Sequence, residues 1–185
     1  MDALLTSTFA VAIAEIGDKT QLLALLLAAR FRNKTAIIAG ILFATILNHA
    51  AAASLGHWAM GFISEQMAHY LLAASFFAIA LWVLVPDKMD DEQTGFYRYG
   101  AFIATFVLFF LAEMGDKTQV ATVVLAGRFD DLAMVILGTT IGMLLANVPV
   151  VMMGDYSAEK LPLTLIRRTC AILFTLIGIV TLLWR

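Results

Sequence analysis

The sequence predicts an all-α transmembrane protein, a six-helix bundle made of two inverted-topology three-helix repeats. Two observations support the membrane assignment: 62% of the 185 residues are hydrophobic and only 14% are charged, and the mean hydropathy is +0.90. Soluble domains are nearer a quarter charged and about half apolar. The third observation is a charged heptapeptide that occurs twice, once in each half of the chain.

The membrane spans are predicted from apolar stretches that are bounded by charges or turn residues. At about 20 residues per crossing, the chain has room for about six helices with short connections. The predicted spans lie near residues 3–29, 35–56, 69–86, 97–126, 132–153 and 162–184. The third span is short, but residues 70–85 contain no charge. The N-terminus lacks the basic region of a signal peptide, so we expect the first helix to be retained.

An internal repeat determines the predicted architecture. Residues 15–21 read Glu-Ile-Gly-Asp-Lys-Thr-Gln, and residues 113–119 read Glu-Met-Gly-Asp-Lys-Thr-Gln, an offset of 98 residues (113 − 15). Matches at this offset continue without gaps over about forty residues, as expected for a duplication. The offset aligns Ala28 with Ala126, Gly40 with Gly138, Leu47 with Leu145, and His49 with Asn147.

The odd number of spans per repeat predicts the topology. Because each repeat has three spans, the second copy must enter the membrane from the opposite side. We expect repeat 1 over residues 1–86, a cytoplasmic linker at 87–96 and repeat 2 over 97–185. One side of the membrane carries most of the basic residues, namely Arg30, Arg32, Lys34, Lys88, Arg98, Lys160, Arg167 and Arg168. By the positive-inside rule that side is cytoplasmic, so both termini face outward.

The repeated motif places charges near the membrane midplane. Glu15 lies ~12 residues into its span, which is ~18 Å at 1.5 Å per residue, and Glu113 lies at a similar depth. Six ionised groups facing lipid would be prohibitive, so they must face one another or a water-filled cavity. On a continuous helix Glu15, Asp18 and Gln21 form one stripe of oxygen ligands. Lys19, four residues after Glu15, could pair with it.

The residue types predict a divalent-cation site with Glu15, Asp18, Glu113 and Asp116 as the ligands. Four carboxylates and two ammonium groups leave a formal charge of −2, which one divalent cation neutralises. Oxygen ligands without a thiolate pair suit Mn²⁺, Ca²⁺ or Mg²⁺. Crowded carboxylates can also take up protons when the metal leaves, so metal and protons would compete. This is the chemistry of a cation/proton antiporter, in which the metal is substrate and no cofactor is expected.

Other motif and helix residues are predicted to support this site. Gly17 and Gly115 permit close helix approach or local unwinding. The supporting polar or gating residues are Lys19, Thr20, Gln21, Asn48, His49, Lys117, Thr118, Gln119 and Asn147. Three alternatives remain: interhelical salt bridges with a purely structural role, an exporter of an organic cation or amino acid, and an intramembrane metalloenzyme. The last is disfavoured because the zinc motif H-E-x-x-H is absent from the sequence, so no catalytic residue is assigned.

The paired E-x-G-D-K-T motifs in a six-span chain of this length resemble the GDT family of cation transporters. That family includes bacterial manganese exporters of the MneA type and organellar manganese/calcium transporters. The resemblance implies export of Mn²⁺ (or Ca²⁺) from the cytoplasm in exchange for protons, with the four acids binding the cation. The chain lacks the long N-terminal extension of organellar members, which implies a bacterial inner-membrane protein. The expected partners are divalent cations, protons and lipid, with no nucleic acid; a homo-oligomer is left open.

Overall fold

A computed structural model describes residues 3–85, 91–153 and 163–183. These residues form α-helices and one 3-10 helix, and no β-strand occurs among them, which confirms the all-α class. The helices are α1 (Ala3–Glu15), α2 (Lys19–Arg30), α3 (Lys34–Met60), α4 (Glu65–Val83), the 3-10 helix Asp91–Tyr99, α5 (Gly100–Glu113), α6 (Lys117–Arg128), α7 (Leu132–Met153) and α8 (Leu163–Leu183).

Three helical segments are long and apolar enough to cross a membrane, by length and composition: Lys34–Ala59, Gly95–Glu113 and Leu132–Met153. Shorter apolar helices are Ala3–Glu15, His69–Val83 and Arg168–Leu183. Large apolar side chains cover the outer surface of the described helices, which suits contact with lipid rather than water. The count of six spans and their inverted arrangement stay predictions.

Two parts of the predicted topology fall partly outside the described residues. The linker at 87–96 is described only from Asp91 onward, where it forms the 3-10 helix. Lys88 and Lys160, which contributed to the predicted orientation, also lie outside the described ranges. The cytoplasmic placement of these connections therefore stays a prediction.

The first and fourth predicted spans are not continuous helices, so the predicted stripe from Glu15 to Gln21 is wrong. Helix α1 ends at Glu15 and α2 begins at Lys19, and the same break separates α5 from α6. Gly17 and Gly115 have φ of 79° and 73°, a left-handed conformation that glycine adopts without a steric penalty. Local unwinding is therefore the role of both glycines at this point in the chain.

The two halves of the chain are interleaved. Helix α1 packs against α7, and α5 packs against α3, so each repeat's first helix contacts the other repeat's middle helix. Small residues allow this approach: a Cβ atom added to Gly142 would lie 2.6 Å from the Thr8 carbonyl oxygen. Likewise, a Cβ atom on Gly40 would lie 2.9 Å from the Phe102 carbonyl oxygen. This packing brings the two helix breaks together inside the bundle.

Candidate metal centre

Four helix ends supply the acids of the motif. Glu15 and Glu113 are the last residues of α1 and α5, whereas Asp18 and Asp116 occupy the N-cap positions of α2 and α6. An N-cap aspartate usually accepts a hydrogen bond from its own helix, but neither Asp18 nor Asp116 does so. Their carboxylates are instead directed into the space between the repeats.

The structure brings the four acids together. One carboxylate oxygen from each of Glu15, Asp18, Glu113 and Asp116 lies within 4.8 Å of the others, and all four residues are buried. Oxygen atoms on opposite sides of a bound Ca²⁺ are separated by about 5 Å, since each Ca–O distance is about 2.5 Å. The cluster therefore has the dimensions of a site in which several carboxylates share one ion.

Two crossed ion pairs link the repeats across this cluster. Lys19 Nζ lies 3.3 Å from Asp116 Oδ1, and Lys117 Nζ contacts Asp18 Oδ1. The predicted pair between Lys19 and Glu15 is wrong, because the helix break between them removes the i, i+4 geometry that the prediction assumed. Each lysine instead neutralises the aspartate of the other repeat.

The glutamates are held by the threonines of their own motifs. Thr20 Oγ1 donates to Glu15 Oε2 at 2.5 Å, and Thr118 Oγ1 donates to Glu113 Oε2 at 2.7 Å. In the described part of the chain, the Oε1 atom of each glutamate is buried without a hydrogen-bond partner. A buried carboxylate oxygen without a hydrogen-bond partner costs free energy. Binding of a cation or a proton would therefore stabilise these two atoms.

Amides fix the conformation of the breaks and anchor them to the helices alongside. Gln21 Oε1 accepts from Gly17 N at 2.8 Å, and Gln119 Oε1 accepts from Gly115 N at 2.7 Å. Gln21 Nε2 also donates to the Ala146 carbonyl at 2.9 Å. The sequence identified both glutamines but treated them as possible ligands, since their use in closing the breaks depends on the unwound backbone.

Comparisons with known proteins identify the family of this chain. The family described as divalent cation/proton antiporter GDT1 has a model that matches residues 3–91 and 101–184. The chain belongs to the GDT1 family. It is therefore a member of a family of cation transporters rather than of an enzyme class, and the family resemblance inferred from the motifs is confirmed.

Relatives within the GDT1 family come from bacteria and plants. A Vibrio cholerae protein named "Putative manganese exporter" is 52% identical over 182 residues, covering 98% of this chain and 90% of the relative. The GDT1-like protein 5 of Arabidopsis thaliana is 28% identical over 210 residues, covering 92% of this chain and 91% of the relative. No solved structure matches the chain.

Asn48, His49 and Asn147 are buried polar residues of α3 and α7, the helices that pack against α5 and α1. Asn48 Nδ2 donates to the Phe110 carbonyl at 3.0 Å, which ties α3 to the helix that ends in Glu113. Asn147 Nδ2 donates within its own helix to the Met143 carbonyl at 3.1 Å. His49 is fully buried, and neither ring nitrogen has a hydrogen-bond partner among the described residues. A gating or proton-relay role for His49 and Asn147 stays a prediction.

Proposed function

We propose that this chain is a secondary transporter that exports divalent metal cations from the cytoplasm in exchange for protons. Mn²⁺ is the first candidate substrate and Ca²⁺ the second. The observation that carries the proposal is the set of four buried carboxylates whose oxygens lie within 4.8 Å of one another. With the two lysines of the motifs the formal charge is −2, which a single divalent cation balances.

The ligand chemistry supports a hard metal ion. The potential ligand cluster consists of carboxylates, and Cys170, the one cysteine of the sequence, is not part of it. Oxygen ligands favour Mn²⁺, Ca²⁺ and Mg²⁺ over Zn²⁺ or Cu⁺. The name of the Vibrio cholerae relative, "Putative manganese exporter", supports Mn²⁺ among the three.

The proposed mechanism is alternating access around the cluster. Six spans in two inverted repeats would place the cluster near the midplane of a bacterial inner membrane, with both termini on the periplasmic side. When the metal leaves toward the periplasm, protons take its place on the carboxylates and are carried inward. The crossed ion pairs neutralise the aspartates at the stage of the cycle in which the site holds no metal.

Proteoliposomes with an imposed pH gradient test the proposal. We expect Mn²⁺ flux that depends on the gradient, competition by Ca²⁺, and loss of flux in both Glu15→Gln and Glu113→Gln. Asp130→Asn provides the matched control, because it makes an acid-to-amide change at an exposed position outside the cluster. Wild-type rates in either glutamate variant would contradict the shared site. Mn²⁺ flux that does not depend on the pH gradient would contradict proton exchange. Competition by organic cations would favour the alternative, an exporter of an organic cation or amino acid.

A further inference from the structure

The two aspartates of the cluster are equivalent in the repeat but differ in their contacts. Asp18 Oδ1 contacts Lys117 Nζ, and Asp18 Oδ2 lies 3.4 Å from Thr20 Oγ1, the hydroxyl that donates to Glu15 Oε2. Asp116 contacts Lys19 through Oδ1 at 3.3 Å. Its Oδ2 is buried without a hydrogen-bond partner in the described residues. Among the described residues, Asp116 therefore has a buried carboxylate oxygen without a hydrogen-bond partner, and neither oxygen of Asp18 is in that state.

The two lysines of the motifs also differ, in the exposure of their side chains. The Lys117 side chain is 3% exposed, whereas the Lys19 side chain is 26% exposed. Identical heptapeptide positions cannot cause this difference, so it arises from the surroundings. Helix α6, which begins at Lys117, packs against both α3 and α4. A Cβ atom on Gly56 of α3 would overlap the backbone of Val123 in α6, so the backbones of α3 and α6 are in close contact.

Resting on the proposed function, we propose that the divalent cation binds to Glu15, Glu113 and Asp116, and that Lys19 is the counter-cation which it displaces. Within the described ranges, these three acids carry the buried carboxylate oxygens that lack a hydrogen-bond partner. Asp18 then acts as a positioning residue that stays paired with Lys117. Lys19 can leave more readily than Lys117 because its side chain is partly exposed, whereas moving Lys117 would break an ion pair in which both side chains are buried.

Charge-matched double variants of the full-length protein in nanodiscs test this assignment, with Mn²⁺ alone as the probe and its electron paramagnetic resonance signal as the readout. Asp116→Asn/Lys19→Gln and Asp18→Asn/Lys117→Gln each remove one ion pair and leave the net charge unchanged. We expect the Asp116 variant to lose at least about ten times more affinity for Mn²⁺ than the Asp18 variant. Equal losses in the two variants would overturn the inference.

A single variant keeps the inference testable if the Asp18 double variant does not fold. Lys19→Gln removes the competing ammonium group from a partly exposed position, so it should tighten Mn²⁺ binding severalfold. Weaker Mn²⁺ binding in Lys19→Gln would overturn the displacement of Lys19.

Failure of the inference is distinguishable from failure of the proposed function. If the wild-type protein binds and transports Mn²⁺ but both double variants lose equal affinity, the four acids act symmetrically and only the inference is overturned. If the wild-type protein neither binds nor transports Mn²⁺ or Ca²⁺, the proposed function is overturned with it.

Discussion

The ammonium group of Lys117 contacts the carboxylate of Asp18 across the two halves of the chain, with 3% and 0% of the respective side chains exposed. Its counterpart, the pair between Lys19 and Asp116, has one partly exposed member. An ion pair sealed from water costs most when one partner is removed, because the other charge remains buried. The two pairs should therefore respond differently to the same chemical change.

Replacing each aspartate by asparagine measures this difference. Asp18→Asn removes the carboxylate charge that the buried Lys117 ammonium group contacts and should destabilise the protein by about 3–5 kcal/mol. Asp116→Asn leaves Lys19, whose amino group can turn toward the surface, and should cost about 1 kcal/mol. Denaturant unfolding in detergent micelles without metal checks both values. Restoring neutrality in Asp18→Asn/Lys117→Gln should recover much of the loss, and equal costs for the two single variants would contradict the assignment.

The helix breaks should depend on glycine because of their backbone conformation. Gly115 has φ of 73°, and a Cβ atom built on it meets nothing within 4 Å. Substitution therefore tests the backbone alone. Gly115→Ala should lower the free energy of unfolding, measured by thermal denaturation, by about 1–2 kcal/mol. Gly115→Asn should cost less, since asparagine tolerates this conformation better. Equal losses for the two variants would contradict a cost that comes from the left-handed backbone conformation.

The threonine hydroxyls should determine metal affinity through the glutamates. Thr118→Val removes the donor to Glu113 Oε2 while preserving side-chain volume. An unsatisfied buried acceptor costs about 1–3 kcal/mol, so Glu113 should rotate and Mn²⁺ affinity should fall by about tenfold. Thr118→Ser keeps the hydroxyl and should bind Mn²⁺ nearly as well as the wild type.

A threonine outside the cluster provides the control for this effect. Thr175 on α8 donates to the Ala171 carbonyl of its own helix. Thr175→Val should therefore leave Mn²⁺ affinity unchanged. Isothermal titration calorimetry with Mn²⁺ measures the affinity of this control and of both Thr118 variants. A matching loss of affinity in Thr175→Val would show that the Thr118 effect is not specific to the glutamate.

The class of fold and the four acids of the cluster could be predicted from the sequence because both depend on patterns along the chain. Hydropathy identifies apolar helices without reference to their partners. The duplicated motif predicts similar membrane depths for Glu15 and Glu113. Charged groups at that depth are expected to lie against one another or in a water-filled cavity. Neither inference requires knowledge of the backbone within the motif.

The helix breaks could not be predicted from the sequence, because apolar, helix-forming stretches lie on both sides of the motif, at residues 9–14 and 22–29. Glycine is compatible with both a close helix crossing and an unwound turn, so the sequence left both open. The break in turn decides the pairing of Lys19, which a continuous helix would direct to Glu15. The unequal burial of Lys19 and Lys117 was beyond sequence reasoning, since the two motifs are identical at these positions and the difference comes from the packing of α6.

The crossed ion pairs also bear on how such a chain could have arisen. A single copy of the repeat holds one aspartate and one lysine that do not neutralise each other, and its counterpart supplies what each lacks. Before duplication and fusion, an ancestral half would have needed a second copy beside it to pair its aspartate and its lysine in this way. Joining the two halves in one gene guarantees equal amounts of both. It also allows the two halves to diverge in sequence, and the different surroundings of Lys19 and Lys117 are consistent with such divergence.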